Sequence, residues 1–150
     1  MRALDVAVEA NYLAEICSQN DMVTGKSNND KVKPEHSLYG VTFSVADWID
    51  MNGFDSTCGL ANRSVKPCSE DAVIIRALRD NLMATPLFRS SVNQGAGSND
   101  ISAFASENAN HIWGRAKNPL KKEEFSTGGS CGGEAGLVAT LSICIGLAVD

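Results

Sequence analysis

The chain has 150 residues, enough for one domain with a real core, and its 43% hydrophobic and 21% charged content is ordinary for a globular protein. A net charge of −5, with no basic stripe, excludes non-specific nucleic-acid binding as the main activity. Five cysteines, no C-x-x-C spacing and no secretory signal point to a reduced, intracellular setting, cytoplasmic or peripherally membrane-associated.

In chain order, residues 2–16 carry apolar side chains at three- and four-residue intervals and predict a helix. Residues 24–37 are polar and turn-rich and read as a loop. The β-branched and aromatic run from Leu38 to Ile49 predicts a buried strand, centred on 38–45. A turn and loop follow at 52–59. Residues 69–83 predict a helix, with Ser69 as N-cap and Glu70 and Asp71 at its positive end. Residues 84–92 predict a strand, and 94–111 a polar stretch with little periodicity. A helix over 134–141 and a strand over 142–149 close the chain. The apolar run Leu137–Val149 is too short and interrupted to span a bilayer. Helices alternating with apolar strands argue for an α/β layered fold. No zinc-like spacing is present, and His36 and His111 lie far apart with no ligand-like neighbours, so no zinc site is expected.

The densest signal is FSTGGSCGGEAGL at 125–137, a glycine-rich loop in front of a helix. It lacks the spacing and the lysine of a P-loop and is not G-x-G-x-x-G, so phosphate cradling is disfavoured. A turn that aims a serine and a plain glycine turn both remain open from composition. The order of residues goes further. S-T-G-G-S-C-G-G-E-A-G resembles the central S-P-G-G-S-S-G-G motif of the amidase signature family. Three other stretches agree in order: Leu38-Tyr39-Gly40-Val41, GFDSTCGL at 53–60, which is similar to fatty acid amide hydrolase-like members, and NHIWGRAKNP at 110–119. Asn11-Tyr12-Leu13-Ala14 fits the end of the preceding helix. The resemblance covers residues 5–150.

The resemblance implies a partial α/β/α sandwich with a mixed sheet, the N-terminal part of one larger amidase domain. It implies acyl transfer to a serine, with a small amide or ester, lipid-like ones included, as substrate and no cofactor. Ser130 falls on the serine that relays a proton between a lysine and the nucleophile, with the Gly129–Ser130 bond cis. Two departures stand against activity. The lysine position, in G-[IV]-P-x-x-x-K, is occupied by Ala46, which can hold no proton. The D-I-G-G-S turn bearing the nucleophile would begin at Asp150, twenty residues after Ser130, so the nucleophile is absent from this chain and the sheet would stop before its strand. The expectation is an inactive member of the family. A non-catalytic binding or scaffold protein is the alternative, and a homo- or hetero-oligomer could cover the exposed sheet. Thr42 and Thr127 replace usual prolines, and Cys131 replaces the second serine of the motif. Cys131 is expected as a small half-buried residue more than as a nucleophile. His111 and Trp113 are expected as a packed loop pair, Asp55 and Ser56 as turn caps, and 121–124 as a solvated loop.

Overall fold

A computed structural model describes residues 3–17, 37–95, 107–121 and 124–149. Its elements are α1 (Ala3–Glu9), β1 (Leu13–Ile16), β2 (Thr42–Ala46), α2 (Val73–Arg76, continued as a wider π-wound turn over Ala77–Asn81), β3 (Thr85–Ser90), β4 (Ala109–Asn110), β5 (Gly114–Arg115), α3 (Gly132–Ala139) and β6 (Ile145–Leu147), with a 3-10 turn at Ala61–Arg63 between β2 and α2.

Four strands form one mixed sheet in the order β1-β3-β2-β6. β1 runs antiparallel to β3, while β3, β2 and β6 are parallel. Alternation along β2 sorts the two faces. Phe43 and Val45 join Ile49, Met51, Phe54, Ile75 and Leu78 in one buried cluster, which places α2 on that face. Ser44 points the other way, to α3. On that second face Tyr12, Phe88, Leu137 and Ile143 pack with Ala7 and Ala10 of the α1 segment. The result is a sheet with helical layers on both sides, the partial α/β architecture expected.

The boundaries differ from the sequence expectation for local reasons. The helix expected over 2–16 ends at Glu9, and its second half is an edge strand. Asn11 turns to a positive φ of 59°, and Leu13 then pairs with Ser90, so sheet hydrogen bonds override the helical spacing. The strand expected from Leu38 begins only at Thr42, because Gly40 at φ 78° closes a turn in which the Val41 N–H donates to the Leu38 carbonyl at 2.9 Å. It ends at Ala46, whose carbonyl accepts from Ile49 N. α2 starts at Val73 and not after Ser69. Asp71 serves its approach instead, accepting from Asn52 N at 2.7 Å and pairing with Arg79 at 2.9 Å. The strand expected over 84–92 occupies 85–90. Pro86 has no N–H to give, and the β2–β3 register slips beside it, between Phe43 and Ser44. The helix expected over 134–141 starts two residues earlier, at Gly132, and the strand over 142–149 contracts to 145–147. The short β4–β5 hairpin lies in a region read as irregular or as motif alone. Asn110 folds it by accepting from Ile112 N and Trp113 N through one side-chain oxygen. Most of the loop expected at 24–37 lies outside the described residues, as does His36.

Candidate active site

The glycine turn is seated by three contacts. Gly133 lies against backbone: a side-chain carbon there would come 2.9 Å from both Ser91 N and Tyr12 O. Gly136 leaves room for the Tyr12 ring. Gly132 sits on the side chain of Asn108, whose amide donates to the Ser91 carbonyl at 3.4 Å. These small residues let the start of α3 lie directly on the end of β3 and on Tyr12. Tyr12 is held in turn by donating its hydroxyl to Lys117 O at 2.7 Å, while its carbonyl accepts from Ser91 N at 2.8 Å.

Ser130 precedes α3 by two residues, and Cys131 is the N-cap. The Gly129–Ser130 peptide bond is cis, the conformation expected from the motif. Ser130 Oγ lies 3.5 Å from Cys131 Sγ, and the thiol donates to the Val149 carbonyl at 3.1 Å. Ser130 and Cys131 line an open cavity of about 350 Å³, shared with Thr127, Ala135, Ala148 and Val149. Cys131 is half-buried, and all five cysteines are free thiols. Among the described residues, no three His, Cys, Asp or Glu side chains cluster in a way that could hold a metal ion.

Ala46 closes β2 on the face that also carries Ser44, opposite Ser90 of β3. It is fully buried and packs with Val92 and Trp48, an apolar corner with no group to move a proton. The Ser130 turn and Ala46 are therefore brought to one face of the sheet, although Ala46 is not part of the cavity lining.

Three buried ionisable groups on or beside these elements, Glu134, Arg89 and Asp47, escaped the sequence reading. Glu134, in the first turn of α3, accepts a hydrogen bond from Ser44 Oγ and is 4% exposed. Burial pushes its carboxyl up to about 7, against the pull of the Ser44 and Ser90 hydroxyls and of Arg89. Arg89, fully buried in β3, donates to the carbonyls of Ile49 and Asp55 at 2.7 Å each and meets Asp47 at 3.5 Å. Thr57 donates to the other oxygen of Asp47. Burial raises the Asp47 pKa, with Thr57 and Arg89 opposing it. This cluster ties the 53–60 loop to the end of β2. The signal available was an arginine inside the apolar run TPLFRSS, which a buried strand tolerates only with partners.

The smaller expectations fare as follows. Asp55 caps a turn, accepting from Lys66 N at 2.8 Å and from Val65 N. Ser56 instead joins the Arg89 cluster, at 3.4 Å. Lys121 pairs with Glu124 at 3.1 Å on the surface, while residues 122 and 123 lie outside the described residues. His111 is exposed beside the half-buried Trp113 in the hairpin turn.

Comparison with known proteins agrees with this fold. The family model described as Amidase matches residues 2–150. Amidase 1 from Gibberella moniliformis is 29% identical over 154 aligned residues, covering 99% of this chain and 28% of that protein. Fatty-acid amide hydrolase 1 from Sus scrofa is 33% identical over 113 residues, covering 75% of this chain and 18% of its own length. Among solved structures, an amidase family protein from Bacillus anthracis superposes with a TM-score of 0.73 at 23% identity, over 87% of this chain and 26% of that one. The chain spans about a quarter of the length of the curated relatives it matches. With the motif order, the Ser130 turn and a family match along essentially its whole length, the chain belongs to the Amidase family.

Proposed function

We propose that this chain is the relay-serine portion of an amide hydrolase whose base position has been emptied, and that it holds an amide or ester without turning it over. The observation that carries the reading is Ala46. The family motif puts a proton-handling lysine there, and here a methyl group fills a dry corner with Val92 and Trp48. A serine relay without a base has nothing to pass a proton to or from, and groups that act as a unit fail together. Lys66, the described lysine nearest in sequence, donates to the Asn62 carbonyl on its own loop at 2.8 Å.

The substrate class follows from two supports. Identity to a fatty-acid amide hydrolase favours an acyl amide. The methyl-rich wall of Ala135, Ala148 and Val149 opposite the polar glycine turn suits an apolar acyl group next to a carbonyl. In this reading the chain is one incomplete domain, it needs no cofactor, and its five free thiols fit a reducing compartment. Among the described residues, no helix is long and apolar enough to cross a membrane.

The test is an acyl-amide and acyl-ester hydrolysis assay combined with a fluorophosphonate probe. No turnover and no labelling are expected. Stoichiometric labelling abolished by Ser130→Ala would overturn the inactive reading, and labelling abolished by Cys131→Ala would make the thiol the nucleophile. A non-hydrolysable acyl amide analogue should shift backbone NMR signals over 127–135; unchanged signals would remove the binding half of the proposal.

A further inference from the structure

Glu134 takes no part in the proposed chemistry, yet it is a carboxyl buried between α3 and the sheet, where the Tyr12 phenol ring also packs, against Gly136. Its Oε2 accepts from Ser44 Oγ of β2. The same oxygen lies where a side chain on Gly146 of β6 would have to go. Its Oε1 and the hydroxyl of Ser90 on β3 are both buried without a hydrogen-bond partner. The carboxyl thus bonds to β2, fills the space above Gly146 of β6 and feels the Ser90 hydroxyl of β3.

We propose that Glu134 is a proton-dependent clamp that docks α3, and with it the Ser130 turn, onto the sheet. In the protonated form the carboxyl is neutral, with Oε2 accepting from the Ser44 hydroxyl. A carboxyl O–H would offer a donor to Ser90 Oγ, which is buried without a hydrogen-bond partner. In the ionised form two hydroxyls must compensate a full charge out of water, which neutral partners do poorly.

Among the described residues, no cation forms an ion pair with this carboxyl. From β3, Arg89 exerts a lowering influence, but its guanidinium is committed to Asp47 and to the Ile49 and Asp55 carbonyls. From β2, the only charged neighbour is Asp47 just past its end, turned to Thr57 and Arg89. β6 contributes Ile145, Gly146 and Leu147, none titratable, with the exposed thiol of Cys144 before it. α3 itself carries no other ionisable residue, and the Cys131 thiol at its start faces the Val149 carbonyl. The helix N-terminus favours the ionised form, but only weakly. The balance leaves the carboxyl titrating near 7.

Consequently α3 is held tightest below neutrality and loosens as the pH rises past it. The residue positions the turn and touches no substrate, so the inference stands independently of whether Ser130 relays a proton.

The experiment is backbone hydrogen exchange over 127–139, corrected for intrinsic rates, at pH 5.5 and pH 8.5. For the unaltered chain, protection should fall by ~10-fold or more across that interval. Glu134→Gln keeps the shape and one acceptor oxygen, and its protection should change by less than about two-fold. Equal protection at both pH values in the unaltered chain, or the same loss in Glu134→Gln, overturns the proposal. Should the variant not fold, the carboxyl carbon of Glu134 in the unaltered chain decides by NMR titration. A midpoint near 7 supports the clamp, and one near the ordinary 4.5 overturns it.

Discussion

Arg89 and Asp47 face each other at 3.5 Å with side chains 0% and 3% exposed, so the pair is an ion pair sealed inside the protein between the ends of β3 and β2. The guanidinium also crosses to the Ile49 and Asp55 carbonyls, which makes it the junction between the sheet and the 53–60 loop. Arg89→Ala would leave Asp47 buried with only Thr57 as donor. A loss of about 3–5 kcal/mol is expected in urea unfolding. Asp47→Asn keeps an acceptor for Thr57 and should cost less. A loss under about 1 kcal/mol for Arg89→Ala would show that the cluster does not hold the loop.

Global stability should run against the usual acid sensitivity. Glu134 has its folded pKa raised from 4.5 to about 7, and Asp47 is raised as well. Where a folded carboxyl is the weaker acid, the native state binds more protons than the unfolded chain, so stability falls as pH rises. The Glu134 contribution is complete below about 4.5 and gone above about 7, and amounts to about 3 kcal/mol. Urea midpoints measured from pH 4.5 to pH 8 should decline through this window. Glu134→Gln should flatten the curve.

Gly133→Ala should destabilise the protein although alanine is the better helix former. By helix propensity alone the change would gain about 1 kcal/mol. Here the new carbon meets Ser91 N and Tyr12 O at 2.9 Å, both backbone atoms that cannot swing aside. A net loss of about 1–3 kcal/mol is expected. A raised melting temperature would mean α3 is not seated where the structure puts it.

Ala46→Lys would thread an ammonium group onto the face shared by Ser44, Ser90 and Glu134. A cation there favours the ionised carboxylate, so the Glu134 titration should move down from about 7. NMR titration of its carboxyl carbon reads this directly. An unmoved midpoint would mean that residue 46 and Glu134 do not share one environment.

Thiol alkylation should follow burial. Cys144 is exposed and should react first, with Cys68 and Cys131 behind it. Cys17 and Cys58 are buried, and burial raises the Cys58 thiol pKa as well, so both should label only on unfolding. Peptide mass spectrometry after timed iodoacetamide treatment gives the order.

The sequence by itself determined the α/β class, the existence of the main elements and the Ser130 turn. Those features rest on local chemistry: the β-branched content of 42–46, the helical pattern of 73–81 and glycines at fixed places around one serine. The cis bond was legible because the motif order is specific, and Ala46 was legible as a departure from it. Tertiary structure decided the rest. Helical spacing in 13–16 yielded to pairing with β3, since edge hydrogen bonds to an existing strand outweigh weak helix propensity. Ser69 looked like a cap, but only the fold sets Asp71 against Asn52 N and Arg79. Nothing in their local sequence settles the burial of Glu134, Arg89 and Asp47, which depends on residues up to 90 positions away, as Ser44 and Glu134 show. No local window contains both partners of such a contact, so the charge states near the site had to come from the assembled sheet and helices.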